Sequence, residues 1–530
     1  MIFTPSIGDF SRILEGDPAL EVLHFFSRKG STMIATPRRL VSGLLCLVVA
    51  AGWTAASLAA ATSESWDAIY IGAEKVGHVH VKVAPVKDKN GRDLVRVQVN
   101  TVLSFKRGKD RANMEVRYGT IETPQGAVLR LDTRTLAAQG EIRTWGDVID
   151  GNMNLMLEAG GQRQEKLIPW GDDVRGPYAA ELTLSRQPMS EGEVRDVKTF
   201  IPDMNQICTT RLECKAMESI PIGVKGETRE LRRVEMSVLD PGGKRLPELD
   251  STLWVDSGGQ ILKSYTSLLG GMTNYRTTKE AALSANGNFD LLTATILKIG
   301  KTIPKSETTR DIVYRVTLKS NDAAGLFPND ARQTFKPGAS PGTATLEVRT
   351  QPQTAPAGGA VAKPEEVQAN PLVDSNDPRV VQLAKKAVGT KTDPWQKATA
   401  IQDWVFKNMT SKNFNTAFAP ASEVARNLEG DCTEHGVLTA AMCRAVGIPA
   451  RTVVGLLYVD KFKGFGPHMW NEVLIDGRWV AIDSAFNQSD VDATHIKLAE
   501  SSLDGVAPFE TFLPILRVID SVTIEPVEIR

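Results

Sequence analysis

Cys432, His468 and Asp483 are residues of the types that activate a thiol for attack on a carbonyl. A cysteine attacks as its thiolate, an imidazole can take the thiol proton, and a carboxylate can hold that imidazole in the useful tautomer. With Cys432 as nucleophile, His468 as base and Asp483 as the orienting group, a carboxamide would become a thioester. The departing ammonia or amine would take a proton from His468. Water would then give hydrolysis, and a lysine amine would give a crosslink. The Cys432 main-chain amide is one candidate donor to the oxyanion. Trp404 is a weaker candidate, because a helix-core role explains it better.

The elements that must position these residues can be read locally. Gly430 and Asp431 end one segment and cap the next, with Glu434 at the third helical position and Val437, Leu438, Ala441 and Met442 on an apolar face. A helix therefore begins at Cys432. Unpaired amides and the helix dipole there are expected to pull the thiol pKa down, from about 8.5 toward about 3.5–7.5. Cys443 falls about 16 Å further along the same helix, too far to pair with Cys432, and is expected in the core. His435, one turn on, is a possible influence on the thiol or a packing residue.

Two strand-like runs, His468 to Ile475 and Arg478 to Asp483, flank Asp476-Gly477, a strong signal for a two-residue hairpin. With Ile475 opposite Arg478, His468 would oppose Ala485, and Asp483 would lie diagonally from His468 on the same face. Such neighbours are about 7–8 Å apart between backbones, which an imidazole and a carboxylate can bridge. A slip of one residue would separate them. Alone, each residue has a bland structural explanation; the joint geometry points to catalysis.

The string Gly430-Asp-Cys432-Thr-Glu-His-Gly-Val-Leu-Thr-Ala-Ala-Met-Cys-Arg-Ala-Val-Gly-Ile-Pro-Ala-Arg451, then His468-Met-Trp-Asn-Glu-Val and Trp479-Val-Ala-Ile-Asp483, resembles the core of the transglutaminase-like superfamily. Asp492-Ala-Thr-His-Ile-Lys-Leu-Ala499 is similar to the stretch after the aspartate in exported bacterial members, where His495 would support the fold. The resemblance runs from Asn370 to Ser502. It implies a papain-like α+β core in which Cys432, His468 and Asp483 take the nucleophile, base and orienting roles. It also implies a protein or peptide substrate, with a cysteine protease or amidase favoured over a crosslinking transglutaminase. The chemistry calls for no metal or cofactor.

The remaining sequence supplies the setting. A chain of 530 residues with 42% hydrophobic content exceeds one core and predicts two or three units. From Trp66 to about Ala281 the chain alternates with period two, as in Val79, Val81 and Val83, and turns at Asn90-Gly91 and Asp240-Pro-Gly-Gly243; with a second β-like stretch at Asp311 to Leu318, residues 62–350 are read as antiparallel β-rich. Residues 351–369, rich in Pro, Ala and Gly, read as a linker. In residues 370–530 the period becomes helical: Asp377-Pro378 and Asp393-Pro394 are helix starts, and Ala398, Ile401, Val405 and Met409 share a face. The fold class is thus α+β, a large antiparallel β domain followed by a transglutaminase-like catalytic domain.

The net charge of −1 and the lack of a basic, aromatic-laced run exclude nucleic acid as a partner. Five cysteines without a CxxC pair point to single thiols, while Cys208 and Cys214 could be bridged or free. His78 and His80 share a strand face but lack a recognisable third ligand. In residues 1–61, with Met33 as the start, Arg38-Arg39, the apolar run Leu40 to Leu58 and Ala59-Ala60-Ala61 read as a signal peptide or a retained membrane anchor. Export is expected, with the catalytic domain periplasmic or membrane-anchored outside the cytoplasm. A reading from another class is a cell-envelope binding protein whose thiol domain is inert.

Overall fold

Alternation of apolar and polar residues sets the first half of the chain into strands, each ended by a residue that can turn. The computed structural model describes residues 62–530, except 109, 138–139, 203, 224–225, 320–324, 352–356, 412–418, 506–507 and 520. The expected signal peptide or anchor lies outside the described residues. Among those described, no helix is long and apolar enough to cross a membrane.

The first eight strands are β1 (Ser63–Ile71), β2 (Glu74–Lys87), β3 (Asp93–Arg107), β4 (Asp110–Glu122), β5 (Val128–Ala137), β6 (Gly140–Ile149), β7 (Asn152–Ala159) and β8 (Gln162–Pro169). Helix α1 (Ala179–Arg186) leads into β9 (Val194–Ile201), β10 (Gln206–Pro221), β11 (Thr228–Leu239), β12 (Ser251–Val255), β13 (Ile261–Thr266) and β14 (Met272–Thr277). All fourteen form one antiparallel sheet, running from β8 down to β1 and then from β14 down to β9. Phe200 on β9 packs with Met153 and Leu155 on β7 and with Trp170, so the two ends of the sheet curl toward each other.

Cys208 and Cys214 are buried free thiols. Both lie on β10, and six residues at about 3.4 Å each hold them roughly 20 Å apart, beyond disulfide reach. His80 bonds Glu64 at 2.8 Å and stacks on Trp66 at 3.9 Å, a cross-strand surface pairing.

The C-terminal body mixes two small sheets with helices. It contains β15 (Leu297–Lys298), β16 (Asp311–Leu318), β17 (Gln333–Pro337), β18 (Thr343–Arg349), and helices α2 (Pro378–Val388), α3 (Pro394–Asn408), α4 (Ala421–Asn427) and α5 (Cys432–Ala445). There follow β19 (Ala450–Val459), β20 (Gly464–Ile475), β21 (Arg478–Ile482), β22 (His495–Ser501), α6 (Pro508–Ile519) and β23 (Val522–Ile529). Strands β15, β20, β19 and β22 form one sheet with β21 added to β20, and β17, β18, β16 and β23 form the other. Asp377 and Asp393 cap α2 and α3 with their side chains, and Ala398, Ile401, Val405 and Met409 all enter the core, as the helical period requires.

Two stretches join this body more closely than their composition suggests. Within residues 297–349, Tyr314, Leu346 and Val348 share one apolar core with the helices, and β16 pairs with the final strand β23. Beyond them, Gly358 N and Ala360 N donate to the Asp476 and Gly477 carbonyls at 2.9 and 2.8 Å, lacing the Pro/Ala/Gly stretch onto the hairpin turn.

The large sheet docks on this body. Arg517 Nε donates to Glu248 Oε1 at 2.8 Å, Gln164 Nε2 to Asp504 Oδ1 at 2.7 Å, and Leu513 packs among Cys208, Val238 and Leu246.

Gly455 on β19 stands opposite His468 on β20. A Cβ there would meet the Ile496 carbonyl oxygen at 2.1 Å and the Trp470 ring at 2.6 Å. Gly455→Ala is therefore expected to cost about 3 kcal/mol of stability. Urea denaturation followed by tryptophan fluorescence checks this, and an unchanged midpoint contradicts the packing described.

Candidate active site

Helix α5 begins where its cap dictates. Asp431 Oδ1 accepts from Thr433 N at 2.9 Å and from Thr433 Oγ1 at 2.7 Å, while Glu434 Oε2 accepts from Asp431 N at 3.0 Å, completing the expected capping box. Gly430 has φ +143°, and a Cβ on it would lie 2.4 Å from Glu434 Cβ, so glycine is required. Cys432 is the first helical residue. Its thiol receives a main-chain hydrogen bond at Met469, the residue after His468. One turn on, Gly436 lets β20 approach, and Asn471 Nδ2 donates to the Gly436 carbonyl at 2.9 Å. Cys443 is buried in the core as expected.

The hairpin has the predicted register, Ile475 opposite Arg478 through Asn471 opposite Ile482. Asp476 and Gly477 both have positive φ, 48° and 69°, as a two-residue turn of the favoured hand demands. The ladder then stops, and the expected pairing of His468 with Ala485 does not form. Instead the chain turns on the Asp483 side chain, whose Oδ1 accepts from Ala485 N at 2.7 Å and Phe486 N at 3.3 Å. The other oxygen, Oδ2, lies 2.7 Å from His468 Nε2. The expected imidazole–carboxylate contact is thus present, made by a turn rather than by a continued strand. His468 Nδ1 is the ring atom left for a thiol.

His495, placed only in a supporting role by the sequence, belongs to the same chain of bonds. Its Nε2 lies 3.1 Å from Asp483 Oδ2 and its Nδ1 lies 3.1 Å from Asp492 Oδ1. Carboxylate oxygens only accept, so both ring nitrogens must carry protons and the buried ring is an imidazolium. Asp492 is held in turn by Thr494 N at 2.7 Å and by Gln488 Nε2 at 2.7 Å. His468, Asp483 and His495 have the residue types of a metal site. Their nitrogen-to-oxygen spacings of 2.7 and 3.1 Å are hydrogen-bond lengths.

Electrostatics separate these groups. Burial would raise the Asp483 pKa, but His468 and His495 overcome it and hold the carboxylate far below its ordinary range. Burial likewise opposes charge on His495, and its bonds to Asp483 and Asp492 prevail, raising its pKa. Cys432 departs from expectation: burial pushes its thiol well up, the Asp431 carboxylate adds to this, and the Met469 main chain and Arg107 oppose it. Desolvation of the sulfur and the Asp431 carboxylate therefore act against a thiolate at this helix start.

Around the imidazole, Phe486 meets His468 edge-on at 5.2 Å and is 44% exposed, while Trp470 stacks on it at 6.0 Å and is buried. Trp479 lies under the Arg451 guanidinium at 4.1 Å. His435 Nδ1 bonds the Asp431 carbonyl at 2.7 Å, a structural tie across the first turn. Trp404 packs against the apolar core. The sequence reading also missed Arg107, which reaches Asp431 from β3 at 2.9 Å. No local pattern announces such a contact, whereas Asp492 and His495, three residues apart, carried a signal.

Residues 381–484 match the transglutaminase-like superfamily. Kyphoscoliosis peptidase of Mus musculus is 33% identical over 87 residues, covering 15% of this chain and 13% of that protein. An uncharacterized protein of Haemophilus influenzae is 31% identical over 96 residues, 17% of this chain and 26% of that one. The chain therefore spans about an eighth and about a quarter of these relatives. Among solved structures, a candidate cysteine protease from Cytophaga hutchinsonii has a TM-score of 0.27 and 17% identity, covering 42% of this chain and 86% of that one. A β-barrel-like protein from Brucella abortus has a TM-score of 0.29 and 10% identity, covering 40% and 96%.

The doubly held His495 couples stability to pH. A histidine whose folded pKa is raised contributes stability that is complete below about pH 6.5, its unfolded value, and is lost as pH climbs through the folded value. The stability gap between the wild type and His495→Asn should thus be widest below that pH and shrink above it, as read by urea denaturation at several pH values. A gap independent of pH contradicts a buried imidazolium. In sequence, between residues 381 and 484, this chain carries a domain of the transglutaminase-like superfamily.

Proposed function

We propose that the C-terminal body is a thiol acyl-transfer enzyme that hydrolyses peptide or amide bonds, a cysteine peptidase or amidase with Cys432, His468 and Asp483 as its triad. The observation that carries this is the 2.7 Å bond from His468 Nε2 to a buried, ionised Asp483, with Cys432 on the neighbouring helix start against the next residue of the same strand. A cysteine-bearing helix laid against a sheet that carries the histidine, with the aspartate just past the partner strand, is a papain-like arrangement.

In the resting site the thiol keeps its proton. As the substrate carbonyl arrives, His468 Nδ1 takes the proton while sulfur bonds to the carbonyl carbon, and Asp483 stabilises the imidazolium that forms. The oxyanion meets the Cys432 amide, which at the first helical position has no acceptor within its own helix. The C–N bond then breaks, the amine leaves with the proton from His468, and a thioester remains on Cys432. Water, losing a proton to His468, attacks the thioester; sulfur leaves, regains its proton, and the acid product departs. Export, with the enzyme acting outside the cytoplasm, rests on the basic and apolar N-terminal stretch alone.

Cys432→Ala is expected to abolish turnover of a mixture of peptide coumarin amides and of casein, read by fluorescence and mass spectrometry. Asp483→Asn keeps the shape and loses the charge, and should lower kcat about 10²–10⁴-fold. Full activity in either variant would remove the triad assignment. A fluorescent amine added to the same reactions divides hydrolysis from transfer: labelled glutamine peptides would move the reading to a crosslinking enzyme. An unreactive Cys432 and no turnover would favour an envelope binding protein.

A further inference from the structure

The large β sheet reaches the catalytic helix through one hairpin. Strands β3 and β4 end with Arg107 opposite Asp110, and Arg107 Nη2 lies 2.9 Å from Asp431 Oδ2. The pair is shielded: the arginine side chain is 24% exposed and that of Asp431 only 3%. The strand end is itself held. Lys106 N donates to the Phe289 carbonyl at 2.9 Å, Gly108 N to Asp290 Oδ1 at 3.3 Å, and Phe105 meets Phe289 edge-on at 6.2 Å. Arg107 is therefore presented from an anchored segment.

Asp431 immediately precedes the nucleophile. Its Oδ1 is committed to the helix cap, and its Oδ2 faces the guanidinium. A carboxylate beside a thiol opposes thiolate formation, and a cation on that carboxylate cancels much of the opposition; in a shielded site salt screens such effects weakly.

We propose that the β domain completes the active site: Arg107 offsets Asp431 so that Cys432 can give up its proton, and the thiol is fully reactive only while the β3–β4 hairpin is docked. This rests on the reading of Cys432 as the nucleophile and gives the β domain a part in the chemistry. Arg107 is a positioning residue, acting on the sulfur through charge.

The groups acting on Cys432 can be named by element. On its own helix are Asp431, whose charge opposes the thiolate, and Glu434, whose carboxyl burial and Asp431 hold well above its ordinary range. On β20 the Met469 main chain bonds the sulfur, and the preceding residue, His468, is bonded to Asp483, which also bonds His495. Among the described residues, Arg107 is a cation that acts on the sulfur from outside the C-terminal body.

The test is the pH dependence of iodoacetamide alkylation at Cys432 in the full chain, read by peptide mapping. Arg107→Gln should raise the midpoint by about one pH unit, a tenfold slower reaction below both midpoints, while Arg107→Lys stays near the wild type. Asp431→Asn still caps the helix, leaves Arg107 without its carboxylate, and should lower the midpoint. An unmoved midpoint in Arg107→Gln overturns the proposal. Should that variant fail to fold, an unmoved or raised midpoint in Asp431→Asn overturns it equally. Because alkylation requires no turnover, the two readings fail separately. Midpoints that move as stated without amide cleavage sink the enzyme reading, and cleavage with unmoved midpoints sinks the Arg107 coupling.

Discussion

A carboxylate with 0% exposure, Asp483, stays charged between two imidazole rings, and much of the C-terminal body is arranged to keep it so. An ionised acid cannot be buried without partners that replace water. Each partner comes from a different element: His468 from β20, His495 from β22, and Ala485 N from the turn after β21. The turn must therefore leave the strand where it does, and β22 must pair with β19 with His495 buried. With one imidazole nitrogen held by Asp483, the ring can present its other nitrogen to the helix that carries Cys432.

The second constraint is partial desolvation of the sulfur. A helix start attracts a thiolate, yet the half-buried sulfur is desolvated and Asp431 stands alongside, and both act against ionisation of the thiol. On the proposed reading, activation falls to the base at the moment of attack, which makes the fixed orientation of His468 more consequential than a stored charge would be. Partial burial also strengthens nearby charges, so on the proposed reading a single arginine on a separate sheet can matter to the thiol. Docking of that sheet through Glu248–Arg517, Gln164–Asp504 and the cluster around Leu513 holds the hairpin in reach.

What could be read from sequence was what local physics decides. The capping box at Asp431 and Glu434 spans three residues, and the hairpin register follows from period two and an Asp-Gly turn, so both were legible before any coordinates. The β domain announced itself by alternation, and Cys443 by its place in an apolar helix. Non-local contacts were not legible. Arg107 lies far from Asp431 in the chain, and the second histidine bonded to Asp483 depends on β22 pairing with β19. The thiol environment was misjudged for the same reason, since the dipole is local whereas burial is set by everything packed around the helix. Cys208 and Cys214 were left open because loop and strand give opposite answers, and only the strand assignment separates them. The Pro/Ala/Gly stretch carried no apolar period, yet its backbone amides at Gly358 and Ala360 pair with the hairpin turn.

The most direct measurement of the Cys432–His468–Asp483 assignment is a rapid-quench experiment with a peptide coumarin amide that the enzyme turns over. Fast release of close to one equivalent of amine per active chain is predicted, together with an acyl mass increment confined to the peptide containing Cys432. Steady turnover with no acyl group on Cys432 would contradict it.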